Sequence, residues 1–119
     1  MTSQSNSVET LINKAVNQDT IVIFSKSYCP YCHNTKDLMK RNNWDAQVYE
    51  LDQMTNGAMI QQQLLAMTGQ ATVPSVWING EFLGGNSDTQ MAFQRGELAK
   101  RVMFTPQNSP NVQALSCTH

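Results

Sequence analysis

Apolar side chains repeat along the start of the chain with the period of a helix. The stripe runs from Val8 to Val16 and is interrupted by Asp19-Thr20. The next four residues, Ile21-Val-Ile-Phe24, are β-branched or aromatic and do not alternate with polar residues. Such a run is typical of a strand that is buried on both faces, so the pattern predicts a helix followed by a central strand.

Helical and extended patterns continue to alternate after this strand. After a loop at 25–28, the pattern predicts a helix over 30–41, a strand over 47–51 and a helix that begins near Thr55 or Asn56 and ends at Thr68. Gly69 is expected to terminate that helix, because glycine readily adopts the left-handed conformation of a helix C-cap.

An Asn79-Gly80 pair predicts a tight hairpin near the end of the pattern. Residues 76–78 and 81–83 are the apolar strands on either side, and Asn-Gly suits a two-residue turn that needs positive φ twice. A last helix is predicted from about Ser87 to Val102. The predicted order is αβαβαββα, which favours an α/β fold with a mixed sheet.

Length and charge narrow the class of protein. A chain of 119 residues holds one domain, which we place at 8–102 between a flexible N-terminus at 1–7 and a flexible tail at 103–119. The net charge of -1 offers no footprint for nucleic acid, and no apolar run is long enough to span a membrane. The N-terminus lacks a secretory signal pattern, so we expect a cytoplasmic, reducing location.

Two of the three cysteines form a Cys29-Pro-Tyr-Cys32 motif between the predicted central strand and the next helix. A cysteine at a helix N-terminus lies near free backbone N–H groups, which favour its thiolate form. Lys26 adds positive charge nearby. The motif therefore predicts a redox pair, with Cys29 as the exposed nucleophile and Cys32 as the more buried resolving thiol.

Two other readings of the motif remain open at this point. Cys29 to His33 also spells the C-x-x-C-H pattern of haem attachment, although that chemistry requires export to an oxidising compartment. A zinc site would need Cys29, Cys32 and His33 together with Cys117 or His119 from the tail, which is a poor source of ligands. We rank both below the redox pair and expect no metal.

Three motifs together resemble the dithiol glutaredoxins, a family with the thioredoxin fold. Cys29-Pro-Tyr-Cys32, Thr72-Val73-Pro74 and Gly84-Gly85-Asn86-Ser87-Asp88 match the family's motifs in order and spacing, and the likeness covers about residues 8–102. The resemblance implies a four-stranded mixed sheet flanked by helices. In the last helix, Thr89 and Ala92 stand where relatives commonly have leucines, and we expect Met91 and Phe93 to fill that space.

The resemblance also implies a glutathione site around the cysteines. Pro74 would be a cis-proline that faces them, and the Val73 backbone would pair with the extended tripeptide. Asp88 would accept from the ammonium of the γ-glutamyl end, and the helix start at Ser87 would hold its carboxylate. The full set of glutathione-binding residues implied is Lys26, Tyr31, Gln61, Thr72, Val73, Pro74, Gly85, Ser87 and Asp88.

The family's activity implies a glutathione-dependent thiol–disulfide oxidoreductase. Glutathione would be its co-substrate, glutathionylated or disulfide-bonded proteins its substrates, and glutathione reductase with NADPH the indirect electron source. We expect a monomer that binds neither nucleic acid nor membrane. Two alternatives are a dimer that holds a [2Fe–2S] cluster through Cys29 and glutathione, which Pro30 disfavours, and a thioredoxin-type reductase, whose Trp-Cys-Gly-Pro-Cys motif is absent.

Overall fold

The computed structural model describes residues 3–104, so the tail from 105 onward, with Cys117 and His119, lies outside the described part. Five α-helices and four strands follow one another in the described chain. They are α1 (Ser3–Gln18), β1 (Ile21–Ser25), α2 (Pro30–Arg41), β2 (Gln47–Glu50), α3 (Gly57–Thr68), β3 (Ser75–Ile78), β4 (Glu81–Gly84), α4 (Asn86–Gln94) and α5 (Glu97–Met103), with a 3₁₀ turn at Leu51–Gln53. No helix within 3–104 has the length and apolar character required to cross a membrane.

The strands form one mixed sheet in the order β2-β1-β3-β4. β1 pairs in parallel with β2 and antiparallel with β3, and β3 pairs antiparallel with β4 through the Asn79-Gly80 turn. Both turn residues have positive φ, 52° for Asn79 and 83° for Gly80, as the Asn-Gly pair predicts. The predicted four-stranded mixed sheet is confirmed.

The central strand is buried throughout, which confirms its predicted position. Alternate side chains enter two cores, because successive residues of a strand point to opposite faces of the sheet. Val22 and Phe24 pack on the face covered by α1 and α3, whereas Ile21 and Ile23 pack on the face covered by α2, α4 and α5. β1 ends at Ser25, and a short turn connects it to the start of α2, where the two cysteines lie.

The prediction of a single last helix is wrong, because the chain forms two helices, α4 and α5, in that segment. Gly96 adopts a left-handed conformation with φ of 77° and separates α4 from α5. The predicted single helix from about Ser87 to Val102 runs through Gly96 without a break. The break lets Leu98 of α5 turn into the core, where it is completely buried.

The prediction that Met91 and Phe93 fill the space beside Thr89 and Ala92 is also wrong. Thr89 and Ala92 are buried, but Met91 and Phe93 are 48% and 37% exposed. Leu98 supplies apolar volume to this core instead. The remaining differences are at element ends: α1 begins at Ser3, within the residues that we assigned to the polar N-terminus, and the second strand stops at Glu50.

Candidate active site

Cys29 occupies the N-cap of α2, directly after the turn that follows β1. Its sulfur accepts a hydrogen bond from the backbone N–H of Cys32 at 3.2 Å, and its own N–H donates to the Lys26 carbonyl at 3.1 Å. Pro30 follows at the first helical position, where the absent N–H costs no helical bond. The backbone N–H of Cys32 at this helix start therefore points at the Cys29 sulfur.

Cys32 lies one turn further along α2 in a different environment. Its side chain is completely buried, whereas Cys29 is partly exposed, and both are free thiols. Burial raises the pKa of the Cys32 thiol to about 11, and its hydrogen bond with Cys29 adds to this effect. Cys32 is therefore a neutral thiol near neutral pH. The arrangement agrees with the predicted roles of an accessible nucleophile and a buried partner.

A loop from a distant part of the chain lies opposite the cysteines. The Val73–Pro74 bond is cis, as the resemblance implies. The Cys29 thiol donates to the Val73 carbonyl across 3.8 Å, so two segments that are 44 positions apart in sequence meet at the reactive sulfur. Pro74 itself is buried beneath them.

A groove of about 350 Å³ runs from the motif to the start of α4. Seven of the nine residues that line it are in the predicted glutathione set, and the groove thus brings together sites from three separate segments. Its lining residues are Tyr31, Gln70, Thr72, Val73, Pro74, Gly85, Asn86, Ser87 and Asp88. Gln70 and Asn86 were missed, although each lies within two residues of predicted positions.

The start of α4 forms one end of this groove. Gly85 is the N-cap, and its N–H donates to the Asp88 carboxylate at 3.4 Å. Gly84 has φ of 139°, and a Cβ atom there would lie 2.2 Å from the Asp88 carboxylate. Only glycine at position 84 therefore leaves room for Asp88, whose side chain is exposed to the groove and to solvent.

A buried hydrogen bond ties this helix start to the cysteine helix. Thr35 of α2 is completely buried, and its hydroxyl donates to Asn86 Oδ1 at 2.8 Å. Gln90 Nε2 donates to the same oxygen at 3.2 Å. Asn86 thus joins the two helices that bear the two ends of the groove.

Lys26 and Gln61 are not among the lining residues of the groove. Lys26 is half-buried in the turn that leads to Cys29. Gln61 Nε2 donates to the Ala71 carbonyl at 2.6 Å, so in this structure it supports the loop that carries Thr72. A direct contact of either side chain with glutathione stays a prediction.

The histidine of the C-x-x-C-H pattern bonds to the turn that precedes the motif. His33 Nε2 bonds to the Ser27 carbonyl at 2.8 Å. Within 3–104, no group of three or more histidine, cysteine or acidic side chains is arranged to hold a metal ion. Cys29 and Cys32 are both free thiols in this structure.

Comparisons with known proteins agree with this geometry. A family model described as Glutaredoxin matches residues 21–83. Glutaredoxin-C4 of Arabidopsis thaliana is 46% identical over 75% of this chain and 66% of its own length, and Glutaredoxin-2 of Schizosaccharomyces pombe is 35% identical over 85% and 92%. The crystal structure of a buckwheat glutaredoxin–glutathione complex superposes with a TM-score of 0.82 at 35% identity, over 86% of this chain and 93% of that one. The chain belongs to the glutaredoxin family.

Proposed function

We propose that this glutathione-dependent thiol–disulfide oxidoreductase acts on protein–glutathione mixed disulfides and on protein disulfides through the thiolate of Cys29. One observation carries the proposal: the Cys29 sulfur lies at a helix N-terminus and bonds to the carbonyl of Val73, which lines the groove together with the cis-Pro74. A partly exposed cysteine sulfur and a groove of about 350 Å³ are thus adjacent, one for the nucleophile and one for an extended tripeptide. These are the two requirements of the reaction.

The route with glutathionylated proteins needs only Cys29. Its thiolate attacks the glutathionyl sulfur, a Cys29–glutathione disulfide forms, and the substrate thiolate leaves and takes a proton from solvent. The thiolate of a second glutathione then attacks the bound glutathionyl sulfur. Glutathione disulfide leaves, and the Cys29 thiolate is restored. The substrate sulfur is thereby reduced from disulfide to thiol, and the sulfur of the second glutathione is oxidised from thiol to disulfide.

The route with protein disulfides also uses Cys32. Cys29 first forms a mixed disulfide with one substrate sulfur, and the other sulfur leaves as a thiol. Cys32 then attacks Cys29, which releases the substrate and leaves a Cys29–Cys32 disulfide that two glutathiones reduce. The Cys32 pKa of about 11 means that this thiol must lose its proton as it attacks. We further propose that glutathione reductase and NADPH regenerate the glutathione.

The groove supports one orientation of the tripeptide. The exposed Asp88 carboxylate and the N-terminus of α4 suit the γ-glutamyl ammonium and carboxylate, and the Val73 backbone next to the Cys29 sulfur suits the cysteinyl residue. Lys26, on the other side of the motif, is proposed for the glycine-end carboxylate. The buckwheat relative was solved as a glutathione complex, which supports glutathione as the ligand of this groove.

Location, assembly and metal content are part of the same proposal. We propose a cytoplasmic monomer without a bound metal. Curated relatives include chloroplastic and mitochondrial proteins, so imaging of the tagged full chain is the test of location. A [2Fe–2S] cluster held by Cys29 of two copies would appear as visible absorption and a dimer mass in freshly purified protein. Visible absorption or a dimer mass would contradict the proposed metal-free monomer.

Substitution of Cys32 tests the two routes. We expect Cys32→Ser to retain reduction of a glutathionylated protein, because a second glutathione resolves the intermediate. It should lose reduction of substrates that require an internal resolving thiol. The assay follows both substrates with glutathione as the reductant, and Cys117→Ser is the matched control for loss of a cysteine. Loss of both activities in folded Cys32→Ser would contradict the proposal that Cys32 is needed only for protein disulfides.

A further inference from the structure

One serine in the turn before Cys29 has hydrogen bonds at all three of its polar atoms. The Ser27 backbone N–H donates to Asp52 Oδ1 at 2.9 Å, and the Ser27 hydroxyl donates to Asp52 Oδ2. The Ser27 carbonyl accepts from His33 Nε2 at 2.8 Å. No sequence motif gives a role to Ser27 or Asp52, and His33 enters the motifs only as the last residue of the C-x-x-C-H pattern.

The two partners approach the turn from different elements. Asp52 lies in the 3₁₀ turn after β2, which is 25 positions away in sequence, and His33 lies in the first turn of α2. Ser27 is therefore held between the end of a sheet strand and the start of the cysteine helix. A short turn fixed on both sides has little freedom to move relative to either element.

The same turn carries Lys26, which we propose for the glycine-end carboxylate of glutathione, and leads to Cys29. The Lys26 carbonyl accepts from the Cys29 N–H at 3.1 Å, so Ser27 lies inside the loop that this bond closes. Movement of Ser27 would therefore displace both the lysine and the N-cap cysteine.

We propose that Asp52, supported by His33, is a positioning residue for the Cys29 reaction, because it holds Ser27 and thereby fixes the turn that places Lys26 and Cys29. The inference rests on the proposed function of Cys29 as the nucleophile. Asp52 does not line the groove and acts only through Ser27.

The hydrogen bonds that Asp52 accepts and that His33 donates agree with this role. Hydrogen bonds from the Ser27 hydroxyl, and then from its N–H, lower the pKa of Asp52, so its carboxylate is ionised near neutral pH and accepts both bonds. His33 must carry a proton on Nε2 to donate to a carbonyl, which both the neutral Nε2–H tautomer and the imidazolium satisfy. Asp52 contributes two charge-assisted bonds and His33 one bond, so Asp52 is the larger contributor.

The expected effect is moderate, since Asp52 and His33 are exposed and water competes with their bonds. Removing the Asp52 carboxylate should lower both the glutathione-dependent kcat/KM and the rate of Cys29 alkylation about three- to tenfold. Its charge acts in the opposite sense, because loss of a nearby negative charge favours a thiolate. Slower alkylation would therefore report positioning, and faster alkylation would report charge alone.

The experiment compares Asp52→Ala, Ser27→Ala and the double variant with wild type. Alkylation of Cys29 by iodoacetamide is followed by peptide mapping, kcat and KM are measured with glutathione, and thermal unfolding gives the midpoint. We expect a loss in Asp52→Ala, a smaller loss in Ser27→Ala, and no further loss in the double variant. Asp45→Ala, which removes an exposed aspartate that makes no bond to the turn, is the control.

Two results would overturn the inference. One is an Asp52→Ala protein, folded at the assay temperature, with unchanged or faster alkylation of Cys29. The other is a double variant whose losses simply add. If Asp52→Ala does not fold, Asp52→Asn and Ser27→Ala carry the same comparison. Absence of glutathione turnover in wild type would contradict the proposed function instead, while the alkylation rates would still decide the role of Asp52.

Discussion

Cys29 and Cys32 are identical side chains three positions apart, yet their surroundings give them different chemistry. Cys29 caps a helix and is partly exposed, whereas Cys32 is fully buried behind it. Desolvation disfavours the charged form of a thiol, and the pKa of Cys32 rises accordingly to about 11. Position along a single helical turn therefore separates the attacking thiol from the resolving one.

This difference predicts selective alkylation of the reduced protein. A raised pKa keeps Cys32 in its unreactive neutral form until the pH approaches 11, so near neutral pH iodoacetamide should modify Cys29 and spare Cys32. Peptide mapping of the folded protein measures both sites, and the same reaction in denaturant is the control, since unfolding removes the burial. Equal labelling of both cysteines in the folded protein would refute the assigned roles.

Asp88 provides a second test at the scale of single residues. A charge-assisted hydrogen bond to the γ-glutamyl ammonium is worth about 1.5–3 kcal/mol, so Asp88→Ala should lower glutathione-dependent efficiency about ten- to a hundredfold. Alkylation of Cys29 should not change, because Asp88 bonds to the start of α4 and Cys29 lies at the start of α2. Asp19→Ala, an exposed aspartate before β1, is the control.

The cap bond of Asp88 allows a competing outcome. Its 3.4 Å distance to the Gly85 N–H is long, so its loss should cost less than about 1 kcal/mol of stability. An Asp88→Ala protein with normal glutathione efficiency and only reduced stability would make Asp88 a helix cap and remove it from the binding site.

At the scale of elements, the C-terminal helical segment shows where periodicity ceases to predict structure. The sequence predicts one helix from about Ser87 to Val102, but Gly96 adopts a left-handed conformation and divides this segment into α4 and α5. The pattern records which residues face the core, and it does not record the angle between successive helices. Glycine at position 96 was the available signal, because glycine readily adopts the left-handed conformation found between the two helices.

The division predicts that α5 stabilises the domain through Leu98. This side chain is completely buried in the core formed with α2 and α4, so Leu98→Ala should lower the free energy of unfolding by about 2–5 kcal/mol. Leu65→Ala is the matched control, because Leu65 is 48% exposed on α3 and its truncation should cost far less. Urea denaturation measures both, and equal losses would show that α5 does not pack as described.

At the scale of the whole molecule, the sheet brings together segments that are distant in sequence. The cysteine motif follows β1, the cis-Pro74 loop comes directly before β3, and β4 ends at the glycine pair before α4. Since β1 and β3 are neighbours in the sheet and β4 pairs with β3, all three segments meet around one groove. The reactive site is thus a consequence of strand order.

Much of this arrangement was predictable from the sequence. Local patterns predict the elements, and the three motifs, through their resemblance to a known family, predict seven groove residues. The contacts of polar side chains across the fold were not predictable. No local pattern indicates that Gln61 bonds to Ala71, that Thr35 holds Asn86, or that Asp52 holds Ser27, because each bond joins segments that only the tertiary fold brings together.

The central claim is that Cys29 is the nucleophile of a glutathione-dependent reaction. The most direct test is a coupled assay in which glutathione, glutathione reductase and NADPH reduce a glutathionylated protein, with wild type compared with Cys29→Ser. We predict turnover by wild type and none by Cys29→Ser, because a serine hydroxyl is not an anionic nucleophile at neutral pH. We also predict no turnover when thioredoxin reductase replaces the glutathione system. Glutathione-dependent turnover by folded Cys29→Ser would contradict the account.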